Sequence, residues 1–479
     1  MMQLLQLLLY CEDVKVMNDI FKKKLSTVTL GVKSFSDNLR TFSDEVVNLE
    51  WQPPCFADPK DAMLLARLFN NEKIVKANEI AVGKYLNAQP VLTKICSARE
   101  VIPDFKGRKL LHSGPPIAYE NMCGPMQGAV CGAIVYEGWA DDIESAQNLV
   151  RSGQVELSPC HHHHAVGPMA GVISPSMPVF VVKNTVDGNE AYSNLNEGLG
   201  KVLRFGANGD EVLSRLKFMQ EKLAPVLAKA LEILGPIEIK PLISQGLQMG
   251  DECHNRNSAS TGQLIKILSP VLAGIDGGAE ALRFIASNDH FFLNLSMAAC
   301  KCMLDAASGV KYSSMVVAMA RNGVNFGIRI SGAGDTWFEA PSLFIKGLYF
   351  PGYGDKDANP DLGDSAITET AGIGGFAMAA SPAIVKFVGG SSQDALNNSL
   401  RMREITLGRH PSFCLPALDF DGTACGIDVL KVLDRHILPI INTGIAHRQA
   451  GIGQIGAGIT NAPEECFVKA LRFLAADVL

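Results

Sequence analysis

The sequence predicts a multidomain α+β (mixed α/β) protein, with two α/β regions flanking a helical domain and a short N-terminal βαβ appendage. Three observations carry this. The chain has 479 residues, more than one hydrophobic core organises. Residues 201–310 place apolar side chains at helical spacing, with few strand signals. On either side, runs rich in Val, Ile, Phe and Gly read as strands joined by turns. The expected divisions are 1–57 (extension and appendage), 58–200 (first α/β domain), 201–310 (helical domain) and 311–479 (Gly-rich α/β domain).

The start, MMQLLQLLLYC, imitates a signal peptide but lacks a basic segment and a small-residue cleavage site. Met17 is the more plausible start, which makes residues 1–16 an upstream extension. Thr27 to Val32, Ser34 to Phe42 and Glu45 to Leu49 read as strand, helix and strand, stopped by Trp51-Gln52-Pro53-Pro54. Residues 58–97 read as helical, with a break near Gln89-Pro90. Leu110 and Leu111 begin a strand that ends in His112-Ser113-Gly114-Pro115-Pro116. Two similar turns follow, Gly124 to Gly128 and Gly167 to Gly171, each leading into an apolar run read as strand. Asp141 to Arg151 between them is a helix with acids at its start. The helical domain holds Asp210 to Leu234, Thr261 to Ala273, Glu280 to Ala286 and His290 to Ala307. A last helix, Glu464 to Ala475, opens on Pro463.

Composition excludes some classes. Net charge is −6, from 43 basic and 49 acidic residues, and no basic block stands out, so nucleic acid is not an expected partner. The apolar run at the start is too short to span a bilayer, and no membrane partner is expected. Twelve cysteines without a C-x-x-C read as reduced thiols of a cytoplasmic protein.

Polar clusters mark the candidate sites. Arg329 to Gly375 is glycine-rich and carries Asp335 and Glu369 among its carboxylates. Gly372, Gly374 and Gly375 precede the apolar run Phe376 to Val388, and a glycine turn entering a helix offers N–H groups to an anion. In Cys160 to His164, alternate imidazoles of an extended run face opposite sides, so at most two serve one site. Two histidines alone do not make a metal site, and an acid–base or anion role fits better. Asp251, Glu252, His254, Arg256 and Asn257 form the densest polar run of the helical domain. They suit either a site, with Arg256 on a carboxylate, or a helix terminus with an ion pair. Gly451 to Gly456 spells G-x-G-x-x-G but lacks the strand, helix and later acid that dinucleotide binding needs. The adjacent His447 is the better candidate there. Asp421 suits a turn capping a helix near Ile427.

Five stretches, PCHHHHAVGPMAGV, NLNEGLGKVLRFGA, MGDECHNRN, ANPDLGDSAITETAGIGG and INTGIAHRQAGIGQIGAG, resemble the YlbE/YahG family. The family includes the AllG subunit of oxamate carbamoyltransferase, an enzyme of allantoin breakdown in purine catabolism. The resemblance covers roughly Asn71 to Ala475. It implies carbamoyl transfer between oxalurate and phosphate, giving oxamate and carbamoyl phosphate. It implies partner subunits too, one of them similar to a succinyl-CoA synthetase subunit; a cytoplasmic oligomer is expected, with no cofactor or metal assigned. On that reading Gly372, Gly374 and Gly375 hold phosphate beside Arg329. His161, His162 or His254 supplies acid–base chemistry, and Arg256 binds the carboxylate. Asp335 and Glu369 orient cations or the NH₂ group, while Asp251, Glu252, Asn257 and His447 complete the site. The family's His run is His-His followed by variable residues, which favours His161 and His162. The better-known carbamoyltransferase motifs, Ser-x-Arg-Thr and His-Pro-x-Gln, are absent. The rival expectations are a non-catalytic scaffold subunit and a metal-dependent amidohydrolase.

Overall fold

Ser26–Leu30 and Glu45–Leu49 pair in parallel, Ser26 opposite Glu45, with the helix Lys33–Arg40 as their crossover. This computed structural model describes residues 26–42, 45–49, 58–387 and 390–479, so the extension expected over residues 1–16 lies outside the described residues. The chain divides into two units, Met1–Phe56 and Ala57–Leu479.

The larger unit begins with the helices Pro59–Leu68 and Glu72–Asn87. Each is capped by a side chain at its start, Asp58 accepting from the Lys60 N–H and Asn71 from the Lys73 N–H. Helix does not continue to residue 97 as expected. Pro90 biases the residue before it to extended backbone, and Pro90–Ser97 is a strand paired with Pro178–Asn184. It lies in a five-stranded sheet with Ala165–Val166, Glu190–Asn194 and Ile237–Glu238.

The first Gly-Pro-Met turn also departs from expectation. Gly124–Tyr136 is a helix, not a strand, with Pro125 in its first turn. It is buried on nearly every side, so its composition carries no helical period to read. Its glycines serve a close approach. A Cβ at Gly132 would come within 2.6 Å of Leu203, and one at Gly128 within 2.8 Å of Ala450. The bare face lets the short turn Leu203–Phe205 lie against the helix, and that turn carries Arg204.

The expected helical stretch contains Asp210–Phe218, Ala224–Leu234, Ile239–Gln248, Ser258–Leu272, Gly278–Ala286 and Phe291–Ala306. Ile239–Gln248 was not legible as a helix. Phe291–Ala306 is buried along almost its whole length and packs against the strands Pro178–Asn184 and Glu190–Asn194. One core takes Ala81 and Phe180 from the first region, Leu264 and Phe292 from the second, and Met315 and Cys425 from the third.

After it, Phe338–Pro341, Asn325–Ile330, Val316–Asn322 and Leu362–Gly363 form a four-stranded sheet. Lys346–Tyr349, Gln454–Asn461 and Ile440–Ala446 form a second, so the G-x-G-x-x-G glycines run into a strand. Asp421 caps no helix. It opens the strand Asp421–Ile427 and pairs with Arg403 and Arg409, while Asp428 caps Val429–Arg435. The run after Gly375 is not one helix either. It is made of the 3₁₀ turns Gly374–Ala380 and Pro382–Phe387. The helix Glu464–Val478 closes the chain after Pro463, as expected.

Candidate active site

Side chains from distant stretches meet at a slot of ≈ 20 Å³, lined by Arg204, His254, His290, Ser365, Gly444 and Gln454, among others. A larger cavity of ≈ 350 Å³ adjoins it and shares Asn255, His290 and Gln454. The turn Leu203–Phe205, the loop after Ile239–Gln248, the start of Phe291–Ala306 and the turn Asp364–Ala366 each bring one or more of these residues.

His254 is held from behind. Its Nδ1 lies 2.8 Å from Glu369 Oε1, which fixes the proton on Nδ1 and leaves Nε2 as the free ring nitrogen. The same Glu369 oxygen accepts the Gly375 N–H at 2.7 Å, and its other oxygen accepts from Thr368. The Gly374 N–H is donated to the Glu252 carbonyl and the Gly372 N–H to the Glu369 carbonyl. All three glycine N–H groups expected to bind phosphate are therefore occupied within the protein. They fasten the turn to the His254 loop instead.

The loop itself is built by Asp251, Glu252 and Asn257. Glu252 Oε1 accepts the N–H groups of His254, Asn255 and Arg256. Asp251 accepts from the Ser260 N–H and hydroxyl, and the Asn257 amide donates to the His254 carbonyl. These three shape the backbone, and none lines the slot. Arg256 does not line it either. Its guanidinium is half exposed, 3.9 Å from Asp251. The cation in the slot is Arg204, which the sequence reading missed. It is 5% exposed, one Nη donates to the Gly198 carbonyl at 2.6 Å, and its Nε has no partner. Burial brings it down to about 10, so it stays charged near neutrality. Burial also takes His290 down to about 4, and this ring is a neutral hydrogen-bonding wall, 3.0 Å from the Asn255 carbonyl.

His161, His162, Arg329 and Asp335 form a second cluster. His161 is buried, with neither ring nitrogen hydrogen-bonded, and its Nε2 lies 3.6 Å from Asp364. Burial holds it well below the usual histidine range. The Trp337 indole stands edge-on to it at 5.5 Å and donates to His162 Nε2 at 2.9 Å. Arg329 donates to Asp335 and to the His161 and Gly334 carbonyls. Asp364 accepts the Gly114 and Gly167 N–H groups, and its neighbour Ser365 lines the slot. His447 lies outside both groups, edge-on to Tyr353 at 5.8 Å and accepting the Gln449 N–H. Among the described residues, no group of three or more His, Cys, Asp or Glu is placed to hold a metal ion.

Burial raises both Glu252 and Asp364 to about 7. Each carboxyl holds its proton more tightly in the folded chain than in the unfolded one. The stability they contribute is complete below about pH 4 and is lost as pH rises to about 7. The depressed histidines His112, His161, His290 and His410 act in the opposite sense below about pH 6.5. The informative quantity is therefore the difference between wild type and Glu252→Gln. The variant should gain on wild type in urea midpoint from pH 5 to pH 8. A constant difference would show that Glu252 does not titrate in this range.

The comparisons agree with this architecture. The family described as oxamate carbamoyltransferase subunit AllG matches residues 155–365. The uncharacterised protein YahG of Escherichia coli (strain K12) is 45% identical over 459 residues, which is 94% of this chain and 97% of that one. The oxamate carbamoyltransferase subunit AllG of the same organism is 47% identical over 412 residues, 85% of this chain and 98% of that one. A crystal structure of a conserved protein of unknown function from Enterococcus faecalis V583 superposes with a TM-score of 0.84 at 50% identity, over 85% of this chain and 99% of that one. The chain is thus an α+β protein that belongs to the family of the oxamate carbamoyltransferase subunit AllG.

Proposed function

We propose that this chain is the subunit of an oxamate carbamoyltransferase-like complex that holds the carbamoyl-transfer site. The observation that carries the reading is the meeting of a buried, incompletely paired Arg204 with a carboxylate-backed His254 in one slot. Phosphorolysis of a ureido compound needs both. A phosphate oxygen attacks the ureido carbonyl carbon, a C–O bond forms, and the carbonyl electron pair moves onto its oxygen. The pair returns as the C–N bond breaks, and the leaving nitrogen takes a proton. With oxalurate, the products are carbamoyl phosphate and oxamate.

Arg204 holds the phosphate. His254 Nε2 takes the proton that the attacking hydrogen phosphate gives up and passes it to the leaving nitrogen, while Glu369 holds the other imidazole proton on Nδ1. Ser365 Oγ is placed to accept from Arg321 at 3.4 Å, which leaves its own proton for the developing oxyanion. Arg204 thus takes over the phosphate binding expected of the glycine turn. His161, Asp364 and Arg329 stand behind the slot as positioning groups. Partner subunits, one similar to a succinyl-CoA synthetase, complete the complex. No helix among the described residues is long and apolar enough to cross a membrane. The ten described cysteines are free thiols, and we place the complex in the cytoplasm, in nitrogen recovery from allantoin or a related ureide.

Arg204→Gln in the assembled complex tests this. One charge-assisted contact is worth about 1.5–3 kcal/mol, so the KM for phosphate should rise roughly 10- to 100-fold. An unchanged phosphate KM would remove Arg204, and with it this site, from the reaction.

A further inference from the structure

The slot and the cavity beside it differ in character. The slot is polar and holds the unpartnered Arg204 Nε. The ≈ 350 Å³ vestibule is walled by Leu199, Phe350, Ile384, Ile452 and Ala457. Its polar groups, Asn255, His290 and Gln454, are those it shares with the slot. Three of its apolar walls face water, Leu199 at 55%, Phe350 at 42% and Ile452 at 37% exposure. Oxamate and phosphate are a few polar heavy atoms each. The slot has room for only part of them, so they would reach into the vestibule and bring its walls no hydrocarbon.

Resting on the carbamoyl-transfer reading, we infer that the carbamoyl carrier of this protein is an N-carbamoyl compound with an apolar body. The ureido end enters the slot, between Arg204 and His254, and the hydrocarbon chain or ring covers the vestibule walls. The carrier is thus larger than oxamate, and its selectivity is set by hydrocarbon contact. Volume agrees, since the vestibule falls within the range of pockets that enclose small organic ligands. Each methylene buried there should tighten binding roughly fourfold.

Isothermal titration of the full chain, with N-carbamoylglycine and N-carbamoyl-L-phenylalanine in the presence of phosphate, decides this. Both probes carry the same ureido and carboxylate groups, so their ratio reads the hydrocarbon alone. The phenylalanine compound should bind at least tenfold more tightly, and Ile452→Asp should reduce that ratio towards one. Phe350→Asp, on another wall, provides a second variant should the first fold poorly. Equal affinities in wild type overturn the inference. If phosphate then still binds in an Arg204-dependent way, the transfer reading survives it. A tenfold preference that both wall variants keep would place the hydrocarbon elsewhere and overturn the assignment to the vestibule. Absence of binding by every probe, phosphate included, overturns both.

Discussion

Replacing His254 by Ala should lower turnover of the assembled complex by about 10²–10⁴-fold, the usual worth of a positioned proton donor. The amide nitrogen is a poor leaving group, and departure without a proton is the hardest part of the reaction. In the proposed step the ring relays the proton to the leaving nitrogen while Arg204 holds the phosphate, so the loss should fall on kcat more than on KM. Glu369→Gln should be milder but of the same kind. It leaves His254 in place and withdraws the negative charge that stabilises its protonated form, 2.8 Å from Nδ1. In that variant too the loss should fall on kcat more than on the phosphate KM. Wild-type turnover in His254→Ala would take the residue out of the mechanism. A Glu369→Gln enzyme whose loss falls on the phosphate KM instead would mean that the carboxylate only holds the loop.

The largest effect on stability is expected at Arg321. It is fully buried, and its guanidinium makes two bonds to Asp361, at 2.7 and 2.8 Å, with further contacts to the Gly363 carbonyl and Thr443. Arg321→Met strands the Asp361 charge in the interior, and the cost should be about 3–5 kcal/mol in urea unfolding. Arg321→Met combined with Asp361→Leu removes both charges and should recover a good part of that loss. If the double variant is less stable than the single by the full cost of a second deletion, the pair is not acting as a pair. Because Arg321 also reaches Ser365, the double variant should regain stability without regaining activity.

Much of this molecule is legible in its residues, and what is not has physical reasons. The parallel ribbon over residues 26–49 reads directly, because short β-branched runs flank an amphipathic helix. So do most of the helices between Asp210 and Ala306, where period and length agree. Gly124–Tyr136 does not, because a helix buried on all sides has no polar face to set its period. At the site, the polar run around His254 was recognisable by its density, and Glu369 by its place before the glycines. Their pairing spans 115 positions and no local pattern announces it. Arg204 was passed over because a single cation among apolar and glycine residues looks like a solvated side chain. The available signal was its setting, Val202 to Ala207, where the one charge is flanked by Leu203 and Phe205, both buried. Arg256 drew attention for the opposite reason, since it sits among polar neighbours that in fact build its loop.

The fastening of the glycine turn to the His254 loop constrains how such a chain can diversify. Gly374 has φ +59°, and a Cβ there would come within 3.1 Å of His254 and meet the Glu369 carboxylate. Gly375 would press into the Ile440 carbonyl at 2.6 Å. No single replacement at the turn is neutral, because each one disturbs the packing around the His254–Glu369 pair. Lineages can drift more freely at Leu199, Phe350 and Ile452, whose exposed side chains leave room for change. New substrates would then be reached by repainting the antechamber while the chemistry behind it stays frozen.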